Sequence, residues 1–128
     1  MKAGSIGKLY MTKGGITGGQ GETSGVVTAD TIKQASIANG VIGGSGKTSG
    51  RLEVAGFLEQ LTVANVHGGA GEESGMVTAN AIGPITVLHN VEGGAGLGSG
   101  RILSLGDVGK VIVKGNLFGG SGDGNFGF

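Results

Sequence analysis

The stretch Gly43-Gly44-Ser45-Gly46-Lys47-Thr48-Ser49-Gly50 decides the fold because its two signals recur. GGxG returns at Gly18-Gly19-Gln20-Gly21, Gly68-Gly69-Ala70-Gly71, Gly93-Gly94-Ala95-Gly96 and Gly119-Gly120-Ser121-Gly122, with spacings of 25, 25, 25 and 26 residues. Ser-Gly follows at Ser24-Gly25, Ser49-Gly50, Ser74-Gly75 and Ser99-Gly100, again 25 apart. Two anchors in register at separate phases define a repeat, and a repeat of this length points to a solenoid.

Working outward, the segments between anchors carry the alternation of half-buried strands. Val27 and Ala29, Leu52 and Val54, Val77 and Ala79, and Ile102 follow the Ser-Gly pairs. Next comes apolar-x-x-apolar-x-apolar: Ile6, Leu9, Met11; Ile32, Ala35, Ile37; Leu58, Leu61, Val63; Ile82, Ile85, Val87; Val108, Val111, Val113. A third segment places Ile16, Val41, Val66, Val91 and Leu117 two residues before each GG pair. No long 3.6-residue period is visible, and β-branched residues and glycine weaken helices. A propeller blade would need about 40 residues.

The pattern predicts an all-β, single-domain parallel β-helix over residues 1–128. It has about five coils of about 25 residues, with roughly three short strands per coil. The coil starting at Arg51 has one residue more between Gly50 and Leu58 and one fewer between Val63 and Val66 than the next coil. Such changes compensate, and corners are expected to absorb them.

Composition agrees. Glycine supplies 32 of 128 residues, yet 38% are hydrophobic and only one is proline, which argues against a flexible linker and against collagen. Nine Lys plus Arg balance nine Asp plus Glu. No attraction to nucleic acid is therefore indicated, and near-neutrality favours self-association. No apolar run approaches the length of a membrane span, so no membrane insertion is expected. The first residues lack the apolar stretch of a signal peptide. With no cysteine, disulfide and thiolate-metal chemistry are excluded.

The repeat resembles the Gly-rich parallel β-helix repeats of large bacterial surface and autotransporter-type proteins, whose coils read roughly SGxVxAxxIxxVxVxGNVxGGxGxx. The likeness runs from Ser5 to Phe126. It implies an extracellular or cell-surface location and offers an adhesin or passenger segment as an alternative function.

Several chemical motifs are decoys. Gly46-Lys47-Thr48 matches GK[ST], but a phosphate loop needs glycine where Val41 stands and a helix after it. The position two past GGxG holds Thr23, Thr48, Glu73, Gly98 and Gly124, which is no calcium-ligand series. Glu53 is matched in other coils by Thr28, Thr78 and Leu103, and His67 and His89 lie at different phases. Neither supplies the paired groups of a polysaccharide-cleaving site, so no enzyme and no cofactor are expected. Thr28, Thr62, Thr78 and Thr86 form no continuous double array for ice, and carbohydrate or ice binding by one face stays a lesser alternative.

Equivalent residues in successive coils should stack about 4.8 Å apart. Ser24, Ser49, Ser74 and Ser99 are expected to form one corner ladder, and Asn65, Asn90 and Asn116 another. Neither end shows a polar cap, and solenoid ends without one pair with other chains. A second copy placed after Phe128 would bring Ile6 14 residues past Gly120, the interval separating Gly44 from Leu58 and Gly94 from Val108. The expected partner is therefore another copy of the chain, stacked head-to-tail into a filament. Met1, Ile6, Leu9, Tyr10, Phe118, Phe126 and Phe128 are the candidates for that junction.

Overall fold

A computed structural model describes residues 2–122. The chain winds as a parallel β-solenoid of about five turns with a spacing of about 25 residues. The coils run through residues 2–25, 26–50, 51–75, 76–100 and 101–122, and no helix occurs among the described residues.

The first coil holds β1 (Lys2–Met11) and β2 (Ile16–Thr17), and the second β3 (Val26–Ile37) and β4 (Val41–Ile42). The third holds β5 (Arg51–Leu58), β6 (Leu61–Val63) and β7 (Val66–His67). The fourth holds β8 (Met76–Ile82), β9 (Ile85–Val87) and β10 (Val91–Glu92). The fifth holds β11 (Ile102–Ser104), β12 (Val111–Val113) and β13 (Leu117–Phe118).

Each strand pairs with its equivalents one coil away. One face stacks β3-β5-β8-β11, a second β3-β6-β9-β12, and a third β2-β4-β7-β10-β13, with β1 laid along β3. Every pairing is parallel. Parallel pairing buries like residues on like. Leu52 thus aligns with Val77, Leu61 with Ile85, and Val66 with Val91, and all six are buried.

Two details differ from the sequence reading. The first two coils carry two strands rather than three, because β1 and β3 run unbroken across two faces. In the fourth coil Gly83-Pro84 interrupts the same path between β8 and β9, and Pro84 has no amide hydrogen with which to continue a ladder. The extra residue of the third coil sits inside strand β5 and not at a corner. The register shifts between Val54 and Phe57, a bulge at Ala55-Gly56, and Leu58 then returns to the core opposite Ile82. A bulge inserts one residue while leaving the inward face in phase afterwards. The missing residue, as expected, is lost at the corner between Val63 and Val66.

The corners explain the repeated glycines. A Cβ on Gly46 would overlap the carbonyl oxygen of Gly21, one on Gly71 that of Gly46, and one on Gly96 that of Gly71. At these positions the Cα substituent points along the stack at the backbone of the coil beneath. Gly98 is glycine for another reason: its φ is +64°, but an added Cβ would approach only Arg101 Nη1 at 3.7 Å and Glu73 Cγ at 3.8 Å. Thr23, Thr48 and Glu73 hold the same coil position with φ of 56°, 52° and 51°. Gly98→Ala should therefore cost only the left-handed strain of about 1 kcal/mol. Gly71→Ala should cost about 3 kcal/mol or more, as overpacking against backbone that cannot retreat. Urea denaturation of both variants checks the order; equal costs would remove coil stacking as the reason for glycine in GGxG.

Candidate functional site

Two constructions stand out: the corner that closes each coil, and the surface of the last described coil.

At the corner, serine holds GGxG in place. Ser49 Oγ accepts a hydrogen bond from the Gly44 amide at 3.1 Å and donates one to the Gly46 carbonyl at 2.7 Å. Ser74 repeats this with Gly69 at 3.1 Å and Gly71 at 2.7 Å. Ser99 accepts from Gly94 at 3.1 Å, and Ser24 from Gly19 at 2.9 Å. Ser49, Ser74 and Ser99 are completely buried, while Ser24 in the first coil is half-buried. These hydroxyl bonds stay within one coil. Coil-to-coil linkage at the serines runs through the backbone instead: the Gly50, Gly75 and Gly100 amides donate to the Ser24, Ser49 and Ser74 carbonyls at 2.8, 2.9 and 2.9 Å.

The asparagines bond between coils. The Asn90 amide donates to Asn65 Oδ1 at 3.3 Å, and the Asn116 amide to Asn90 Oδ1 at 2.9 Å. Gly40 occupies the same position one coil earlier with φ +98°, and a Cβ there would overlap the Asn65 carbonyl.

The junction candidates divide by position. Ile6 and Leu9 lie in the first coil, partly buried against the core, and Tyr10 beside them is exposed. Phe118 lies on the exposed strand β13, at the far end of the stack. One chain does not bring these groups together. Met1, Phe126 and Phe128 fall outside the described residues.

The clearest feature of the last coil was not singled out from sequence. Val108, Val111 and Leu117 occupy inward positions, in register with Ile82, Ile85 and Val91. Yet they are 45%, 38% and 51% exposed, against 1%, 0% and 0% for those equivalents. The alternation that marks a buried strand cannot say which coil has a neighbour above it.

Charged side chains pair both within a coil and between neighbouring coils. Lys47 Nζ lies 3.4 Å from Glu72 Oε2, and Arg51 reaches Glu53 Oε1 at 3.2 Å and Glu73 Oε2 at 3.6 Å. His67 Nε2 lies 3.7 Å from Glu92 Oε2. The lysine and threonine of the GKT triplet thus belong to a corner, Lys47 in an ion pair and Thr48 in the left-handed turn. No group of three or more His, Asp or Glu side chains able to hold a metal ion occurs among the described residues.

On the outer surface, Tyr10, Ser36, Thr62, Thr86 and Ile112 form one column, and Thr28, Glu53, Thr78 and Leu103 another. Two grooves open there. One of about 240 Å³ is lined by Tyr10, Thr12, Gln34, Ser36 and Thr62. The other, about 260 Å³, includes Arg51, Thr78, Asn80, Leu103 and Leu105 in its lining. Neither lining contains a pair of carboxylates.

No family model, curated protein or solved structure matches the chain.

Ser74→Ala would leave the part-buried Gly69 amide without its acceptor, at about 1–3 kcal/mol, while the Gly71 carbonyl keeps the Ser74 backbone amide at 3.3 Å. A loss of about 2 kcal/mol is expected. Ser24→Ala, in a partly solvated corner, should lose about 1 kcal/mol. Chemical denaturation monitored by circular dichroism reads the difference, and equal losses would show that burial does not set the strength of this contact.

Proposed function

We propose that this chain is a structural protein whose copies stack end to end, the first coil of one on the last coil of the next, to extend the solenoid into a filament. The observation that carries the reading is the exposed inward row Val108, Val111 and Leu117, built like buried rows elsewhere in the stack. Beside it run the open ladders of β11, β12 and β13, each paired to only one neighbour among the described strands. Unpaired parallel edges are templates for another chain.

Magnitudes indicate which contribution dominates. Completing the burial of three half-exposed aliphatic side chains yields about 1 kcal/mol each. That is less than the cost of association, at least about 4 kcal/mol. The difference comes from the backbone ladder, at about 0.5–1.5 kcal/mol per bond; β1 on β3 alone aligns eight residue pairs. Assembly is therefore cooperative along a whole coil and concentration-dependent. A net formal charge of zero leaves little repulsion between copies.

Light scattering across a concentration series, with negative-stain microscopy, tests the proposal. The wild-type chain should form unbranched filaments above a threshold concentration. Val111→Lys with Leu117→Lys should raise that threshold tenfold or more, since about 1.4 kcal/mol is a factor of ten, while the circular dichroism spectrum is unchanged. A wild-type chain that stays monomeric at every concentration overturns the proposal.

A further inference from the structure

In four of the five coils the second and fourth glycines of GGxG are enforced from below. A Cβ on Gly44, Gly69, Gly94 or Gly120 would overlap carbonyls of the preceding corner, and so would one on Gly46, Gly71, Gly96 or Gly122. The first coil breaks the rule. A Cβ on Gly19 would meet only Ser24 Oγ at 3.5 Å, and one on Gly21 only Ser24 Cβ at 3.9 Å, both ordinary contacts. Neither glycine is among the residues with positive φ. Nothing within the described chain requires glycine at 19 or 21, yet the underside of this corner is shaped like those with a coil beneath.

We infer that this underside is the docking face for the last coil of a second copy, with Gly120 and Gly122 of that copy seated under Gly19 and Gly21. The inference rests on the assembly reading above and specifies its register. The hydrogen bonds it requires already recur in the chain: the amides of Gly46, Gly71 and Gly96 donate to the carbonyls of Gly19, Gly44 and Gly69 at 3.0, 3.0 and 3.1 Å. In the junction the Gly21 amide makes the same bond to the second copy's Gly120 carbonyl. The apolar rows continue in step. Val108, Val111 and Val113 share the spacing of Ile6, Leu9 and Met11, so each falls beneath its counterpart, with Leu117 under Ile16. The interval from Met11 to Ile16 is one residue longer than from Val113 to Leu117. The slack falls at the corner where the intervals from Val63 to Val66 and from Val87 to Val91 already differ by one residue. This register also sets Lys110 beneath Lys8, both on exposed residues. Like charges one coil apart repel, and salt screens them, so the junction strengthens as ionic strength rises.

Sedimentation velocity and cysteine cross-linking test the register on the full chain. Gly19→Ala with Gly21→Ala should leave the thermal midpoint unchanged and raise the assembly threshold tenfold or more. Lys110→Gln should lower the threshold several-fold at low salt and remove most of its salt dependence. The chain has no cysteine, so cross-links can be placed at will. Gln20 and Ser121 hold the third position of their corners, and the junction would set their Cα atoms about 4.8 Å apart, within the disulfide range of roughly 4.4–6.8 Å. Gln20→Cys mixed with Ser121→Cys should give a covalent dimer on mild oxidation, and either variant alone should give none. Filaments from the double-alanine variant at the wild-type threshold, or failure of the mixed cross-link in assembled protein, overturn the register while leaving assembly standing. A monomeric wild type overturns both.

Discussion

The structure depends on the close approach of backbone to backbone at the GGxG corner. Strands in a parallel ladder sit about 4.8 Å apart. Along a strand this spacing is harmless, because side chains stand perpendicular to the stacking direction. At a tight corner the chain rotates, and the Cα substituent of Gly46, Gly71 or Gly96 swings onto the stacking axis, against the carbonyl below. Any side chain there would push two coils apart, break the ladders on three faces and open the core between them. Glycine in this chain is therefore a condition of strand spacing more than a source of flexibility.

From that constraint the remaining features follow in order. A corner without side chains cannot hold itself by packing, so it needs polar closure, and the buried serine hydroxyl supplies it by bridging one glycine amide and one glycine carbonyl. The turn that brings serine inward requires a left-handed residue before it, which Thr23, Thr48 and Glu73 accept under strain and Gly98 without it. Once corners are fixed at the same height, each coil must close on the same perimeter. The third coil shows how strictly: a bulge in β5 adds a residue and the corner between Val63 and Val66 gives one up.

Much of this was legible in the sequence, because a solenoid writes one coil's requirements several times. Two anchors at constant spacing gave the coil, and alternation gave the inward rows. What could not be read was whatever depends on three-dimensional direction. Ser49 reads as a ladder residue, but its hydroxyl bonds run within its own corner while the coil-to-coil bond is made by its carbonyl. A one-residue insertion reads as a corner event, but Gly56 and the exposed Ala55 let the strand bulge outward instead. Val108, Val111 and Leu117 read as core because their pattern is that of core, and pattern carries no record of whether a coil lies above.

That last point bears on function. Within the stack each coil covers its neighbours, so the interior offers little to a partner: the corner serine hydroxyls are bonded, the apolar rows are covered, and the carboxylates of Glu72 and Glu73 face Lys47 and Arg51. A structure made by repeating one satisfied contact concentrates its unsatisfied surface on its end coils. The last described coil presents an uncovered apolar row, and the first keeps glycines of the kind that a covering coil requires elsewhere in the stack. On the proposed reading each surface is half of the contact that neighbouring coils already make within the chain. Association would then need no new kind of interaction, only one more instance of the existing one, supplied by a second molecule.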